Sequence, residues 1–143
     1  MAQQFEQTVT VYLQTNITQA GETEQFDFTL PGRLIMVNDM LYLRYVEDDN
    51  GTPTPVTFKL TSSEDITLTR SGDNGLRLHF LDGQAVTTSY RTPYGTMSIE
   101  VATAQLNVRL NDDLSAGRIA VDYELMAGKS LIGDYQIRLQ FAV

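Results

Sequence analysis

The sequence predicts an all-β protein, a single antiparallel meander closed into a barrel of about eight to ten strands. Three observations carry this. From Thr8 to the last residue, apolar and polar side chains alternate at every second position, the period of a strand with one buried and one wet face. Clusters of Gly, Pro, Asn and Asp break the alternation at short intervals, so hairpins rather than long crossovers join the strands. No stretch shows the spacing of an amphipathic helix. A barrel is favoured over a sandwich because closure removes the edges that a long meander leaves exposed. The Cys-Trp-Cys pattern of immunoglobulin domains is absent.

The elements follow in order. Val9, Val11, Leu13 and Ile17 share one face of a first long strand, opposite Thr10, Tyr12, Gln14 and Asn16. After the turn Gln19-Ala20-Gly21-Glu22, Phe26, Phe28 and Leu30 repeat the pattern up to Pro31-Gly32, a pair that favours a tight turn. Asn38-Asp39 tolerates positive φ and joins Leu34–Val37 to Met40–Val46 as a hairpin. Glu47-Asp48-Asp49-Asn50-Gly51-Thr52-Pro53 reads as an exposed, acidic hairpin loop. Val56, Phe58 and Leu60 form the next inward face; Ser62 to Asp65 is a turn, and Ile66 and Leu68 continue to Gly72-Asp73-Asn74-Gly75. Leu78 and Phe80 lead to Asp82-Gly83, the strongest short hairpin signal in the chain. Beyond the Thr- and Ser-rich segment Val86–Arg91 and the turn Thr92-Pro93-Tyr94-Gly95 comes a strand through Met97, Ile99 and Val101. It changes phase between Ala102 and Ala104 and resumes at Leu106, Val108 and Leu110, which predicts a bulge or corner. The last two strands carry Ile119, Val121, Tyr123 and Leu125, then Tyr135, Ile137, Leu139, Phe141 and Val143.

With 143 residues, 42% hydrophobic and 20% charged, the chain suits one domain over residues 1–143 with one ordinary core. A net charge of −8 disfavours nucleic acid and anionic membrane surfaces as partners. There is no cysteine, hence no disulfide framework and no thiolate metal site. The N-terminal residues lack a signal-peptide pattern and no apolar run reaches spanning length, so the expected location is the cytoplasm.

Several motifs are similar to those of a known family. Arg70-Ser71-Gly72 before a hairpin, Leu78 to Phe80 after it, Thr92-Pro93-Tyr94-Gly95-Thr96-Met97 opening a long strand, and Gly117-Arg118-Ile119-Ala120-Val121-Asp122-Tyr123 near the end resemble the bacterial YwiB-like proteins. The resemblance covers nearly the whole chain and implies a calycin or lipocalin-like barrel. These are turn and packing motifs, and the family offers no activity or catalytic residue to carry over. The Gly-x-Trp signature of secreted lipocalins is absent, since the chain has no tryptophan.

Among candidate sites, Arg70 is the one cation in the apolar register of its strand, after Ile66 and Leu68. Buried, it requires an anionic partner, either a ligand carboxylate or phosphate gripped by its fork of donors or a structural ion pair at the strand end. Tyr123 and Tyr135 share the inward register, where a phenol either orients a ligand or fills the core with its hydroxyl satisfied. His79, the single histidine, falls on the outer face and reads as solvated; a catalytic triad or a histidine zinc site would have to be built on it alone. The acidic residues Glu47, Asp48, Asp49, Asp112 and Asp113 lack EF-hand spacing, Ala127-Gly128-Lys129-Ser130 lacks the first glycine of a P-loop, and Asn16-Ile17-Thr18 lies in a strand. No cofactor or metal is expected.

The function these residues suggest is a non-enzymatic barrel that holds a small, partly apolar ligand near its open end, with Arg70, Tyr123 and Tyr135 as the ligand-facing residues. The alternative is a protein–protein interaction or regulatory module without a small-molecule ligand, including self-association, to which the exposed Tyr12 and the loop-proximal Tyr45 would contribute. An enzyme ranks third, because no nucleophile–base pair, metal cluster or cofactor motif accompanies the carboxylates.

Overall fold

Alternation over the whole chain is realised as ten antiparallel strands. They are β1 (Phe5–Gln19), β2 (Glu22–Val37), β3 (Met40–Asp49), β4 (Thr52–Ser62), β5 (Asp65–Arg70), β6 (Leu76–Leu81), β7 (Ala85–Thr92), β8 (Gly95–Leu110), β9 (Ala116–Ala127) and β10 (Ser130–Ala142). The structure, a computed structural model, describes residues 5–49, 51–71 and 75–143, with the backbone alone at residues 49, 52 and 90–92. The predicted turn at Gly72-Asp73-Asn74 and the predicted loop residue Asn50 lie outside the described residues.

All strands belong to one sheet in the order β6-β5-β4-β3-β2-β1-β10-β9-β8-β7, with β1 bonded to β10 from Thr10↔Ala142 to Thr18↔Asp134. The sheet therefore ends on β6 and β7, which are consecutive in the chain and meet to give a nearly closed barrel. Their junction corrects one expectation. The Asp82-Gly83 turn forms, with Gly83 at φ 72°, but β6 and β7 do not make a ladder. The seam is closed instead by the Thr88 hydroxyl donating to the Arg77 carbonyl at 3.1 Å, and by the Leu106 amide donating to the Asp82 carboxylate at 3.0 Å. The Asp82 side chain is thus engaged by β8 across the turn, and β7 diverges from β6 to follow β8.

The Asn38-Asp39 hairpin is as predicted, with φ of 53° and 65°, the left-handed values a two-residue hairpin turn requires. The phase change in β8 is a bulge: the β8–β9 register shifts between Thr103 and Gln105, leaving Ala104 as the extra residue. Side chains before it point inward at odd positions and after it at even ones, so Val101 and Leu106 are both buried.

Pro31-Gly32 is not a turn. β2 runs straight through it, with Pro31 opposite Thr10 and Gly32 opposite Val9 of β1. The proline is tolerated because the β2–β3 ladder begins only at Gly32↔Tyr45; toward the N-terminal end of β2, the strand side facing β3 has no ladder for Pro31 to interrupt. Gly32 is required for space. A Cβ there would stand 2.7 Å from Val11 Cγ2 and 3.0 Å from the Arg44 carbonyl oxygen, so Gly32→Ala is expected to lower the unfolding free energy by about 1–3 kcal/mol in urea denaturation.

The interior is one apolar cluster to which, among the described residues, every strand but β7 contributes buried side chains, with Phe58, Phe80, Phe141, Leu34, Leu43 and Ile66 fully enclosed. At this content of large side chains most of the lumen is filled. The unfilled part lies at one end.

Candidate functional site

The parting of β2 from β3 positions the site. Beyond Tyr45, β3 stays bonded to β4 through Val46↔Pro55 to Asp49↔Thr52, while β2 continues along β1. The gap exposes a vestibule of about 200 Å³ lined by Thr15, Ile17, Phe26, Phe28, Glu47, Asp48 and Arg70. Below it lies an inner chamber of about 160 Å³ whose walls include Leu13, Phe58, Leu68, Leu78, Leu125 and Ile137. Thr15, Ile17, Glu47 and Arg70 line both spaces, so the charged residues sit at the waist between them.

Arg70 is the last residue of β5 and keeps the inward register of Ile66 and Leu68, as the sequence implied. Its Nη2 donates a charge-assisted hydrogen bond to Glu47 Oε2, and the Tyr45 hydroxyl lies 3.5 Å from the other carboxylate oxygen. The Glu47 side chain is 11% exposed and that of Arg70 39%, so the anion is set into the wall while the arginine reaches the vestibule. Two expectations change here. Glu47 is not a solvated loop residue but a buried member of β3, and Tyr45, 5% exposed, is an inner wall residue rather than a surface contact. Glu47 continues the odd-numbered alternation Leu41, Leu43, Tyr45, and that phase is the signal by which the sequence marks it as inward.

Tyr123 and Tyr135 are brought together. They are direct cross-strand partners, their rings stacked at 5.0 Å and 8°, and both line the inner chamber. Phe80, on the non-adjacent strand β6, packs its ring against Tyr123 at 4.6 Å. The Tyr135 hydroxyl accepts a hydrogen bond from Gln19 Nε2 at 3.1 Å. Thr103, opposite Tyr123 in the ladder, buries its hydroxyl with no hydrogen-bond partner among the described residues. His79 is on the outer face but not merely solvated, because its Nε2 lies 2.7 Å from Asp65 Oδ1 and its side chain is half-buried. No group of three or more His, Cys, Asp or Glu among the described residues could hold a metal ion.

Burial raises the phenol pKa of Tyr45, helped by the Glu47 carboxylate and opposed by Arg70. Burial likewise raises that of Tyr123, with Tyr135 adding and Arg70 opposing. Both phenols therefore stay neutral, as hydrogen-bond donors, well beyond the usual tyrosine value of about 10. Because the folded pKa lies above the unfolded one, their contribution to stability is complete below about pH 10 and is lost as the pH rises further. Ultraviolet titration of the seven tyrosines is expected to leave Tyr45 and Tyr123 un-ionised until the protein unfolds. Ionisation of Tyr45 or Tyr123 near pH 10 in the folded state would contradict this.

Fold and site together define a small antiparallel barrel with a charged pair at the mouth of an apolar end chamber. The chain belongs to the family described as "Domain of unknown function (DUF1934)", whose model matches residues 11–139. It is 22% identical over 123 residues to the "Uncharacterized beta-barrel protein YwiB" of Bacillus subtilis (strain 168), covering 86% of this chain and 84% of that protein. The crystal structure of ywiB protein from Bacillus subtilis matches with a TM-score of 0.80 at 20% identity, over 96% of this chain and 92% of that one. That likeness establishes the barrel. No helix among the described residues is long and apolar enough to cross a membrane.

Proposed function

We propose that the protein is a non-enzymatic, calycin-like barrel that binds a small, partly apolar ligand through the gap between β2 and β3. The observation that carries this reading is the position of Arg70 at the waist, partly wet and bonded to Glu47 through one of its nitrogens, between the aromatic vestibule and the apolar chamber. Each space is below the roughly 300 Å³ at which sites for drug-sized ligands begin. A ligand therefore occupies both, its apolar part inside and an anionic or strongly accepting head at the guanidinium, whose remaining N–H groups suit a carboxylate. The Tyr135 hydroxyl, which accepts from Gln19, keeps its own O–H as a further donor along that path. Tyr123 packs against Phe80 and Tyr135 and serves as wall.

The experiment is native mass spectrometry of freshly purified protein beside the Arg70→Met/Glu47→Leu variant, in which the waist is apolar and no charge is stranded. A small molecule retained by the wild type and lost from the double variant supports the reading. Bare polypeptide in both, or equal retention by both, would overturn it.

A further inference from the structure

The outer face of β1, β10, β9 and β8 gathers cations in a chain with 18 acidic and 10 basic residues. Register aligns Tyr12, Gln140, Arg118 and Arg109 in one cross-strand row, and Gln14, Arg138, Ala120 and Asn107 in the next. Ala120 is short, and the longer side chains around it leave a hollow of about 280 Å³ bounded by Asn107, Arg109, Arg118, Arg138 and Gln140. A second hollow of about 430 Å³ adjoins it, sharing Arg109, Arg118 and Gln140 and reaching Tyr12. Among the described residues no carboxylate lines either one.

Arg109 and Arg118 stand directly opposite each other, an arrangement that repels. Neither has an ion-pair partner among the described residues. The other opposed arginine pair, Arg33 and Arg44, is relieved by Glu6, 2.7 Å from Arg33. Arg138 is held in place, with Nη1 donating to the Ile137 carbonyl at 3.0 Å and standing 2.8 Å from the Asp122 carboxylate. The latter contact is an ion pair without hydrogen-bond alignment, since that oxygen has no aligned donor.

We propose that this hollow binds a small molecule carrying a phosphate monoester and a flat ring, the phosphate resting over Ala120 among Arg109, Arg118 and Arg138 and the ring lying on Tyr12. A dianion removes the Arg109–Arg118 repulsion, and guanidinium forks match phosphate oxygens in pairs. The amides of Asn107 and Gln140 complete a polar rim. Tyr12, 49% exposed, lies two strands from Ala120, roughly 10 Å, a span suited to a nucleotide-sized molecule. Longer polyanions are disfavoured because Asp27 and Asp122 border the patch and the chain as a whole is acidic.

The test is titration of the full chain with adenosine monophosphate, with adenosine and inorganic phosphate as separate arms, followed by calorimetry and amide chemical shifts. The nucleotide is expected to bind, inorganic phosphate more weakly, and adenosine not measurably. Arg118→Gln should weaken nucleotide binding about tenfold or more while leaving Tm unchanged or raised, which a structural arginine would not do. Tyr12→Ala should weaken the nucleotide and leave inorganic phosphate unaffected. Absence of binding by both phosphate probes, unchanged affinity in Arg109→Gln/Arg118→Gln, or tighter binding of a single-stranded oligonucleotide would overturn the proposal. Arg70→Met should leave this binding intact, so the outcome is separable from that of the interior chamber.

Discussion

Arg70→Met is expected to lower the unfolding free energy by about 2–3 kcal/mol in urea denaturation. The cost comes from what remains rather than from what is removed. The Glu47 carboxylate stays in the wall at 11% exposure without its cation, and stripping one partner from a fully buried pair costs about 3–5 kcal/mol. The figure is discounted because the Arg70 side chain is 39% exposed and solvent screens part of the attraction. Adding Glu47→Leu should recover stability to within about 1 kcal/mol of wild type, since exchanging both charges for apolar groups is often neutral or better. A single variant as stable as the wild type would mean that the pair is not set into the wall.

Phe80→Ala should be the most damaging of the single substitutions, by about 3–5 kcal/mol. Phe80 is fully buried and its ring meets that of Tyr123, on a strand β6 does not pair with, at 4.6 Å. The two strands concerned, β6 and β9, are not neighbours in the sheet, so this contact is made through the core rather than along the ladder. Its removal leaves a void beside the inner chamber and reduces the burial that holds the Tyr123 phenol neutral. The variant should therefore show both a lower denaturation midpoint and earlier ionisation of one tyrosine. Loss of stability with an unchanged tyrosine titration would mean that the void closes by repacking.

Much of the architecture was legible because period two is read from local residues: Val9, Val11 and Leu13 declare their face, and Ala102–Ala104 declares the bulge. What was not legible depended on neighbours distant in the chain. Pro31-Gly32 has strong turn chemistry, and only the absence of a β3 partner at Pro31 lets β2 pass through it. Asp82-Gly83 makes its turn, yet β7 follows β8 instead of pairing with β6, a choice no residue of the turn encodes. At the site, Arg70 was visible as a cation out of place among apolar positions. Its partner Glu47 was hidden by position, since it begins a run with Asp48 and Asp49 and takes on the look of a solvated loop. The same run gives Tyr45, two residues before Glu47, the look of a surface residue. The outer arginine cluster leaves no local signal, because Arg109, Arg118 and Arg138 are separated in sequence and meet only through the register of three strands.

The proposal that the end chamber is a binding site for a small amphipathic anion is tested most directly by methyl and arginine side-chain NMR during titration with octanoate. The account predicts shifts at the methyls of Leu68, Leu78 and Leu125 together with the Arg70 side chain, and their loss in Arg70→Met/Glu47→Leu. Shifts confined to the outer surface, or none at millimolar octanoate, would contradict it.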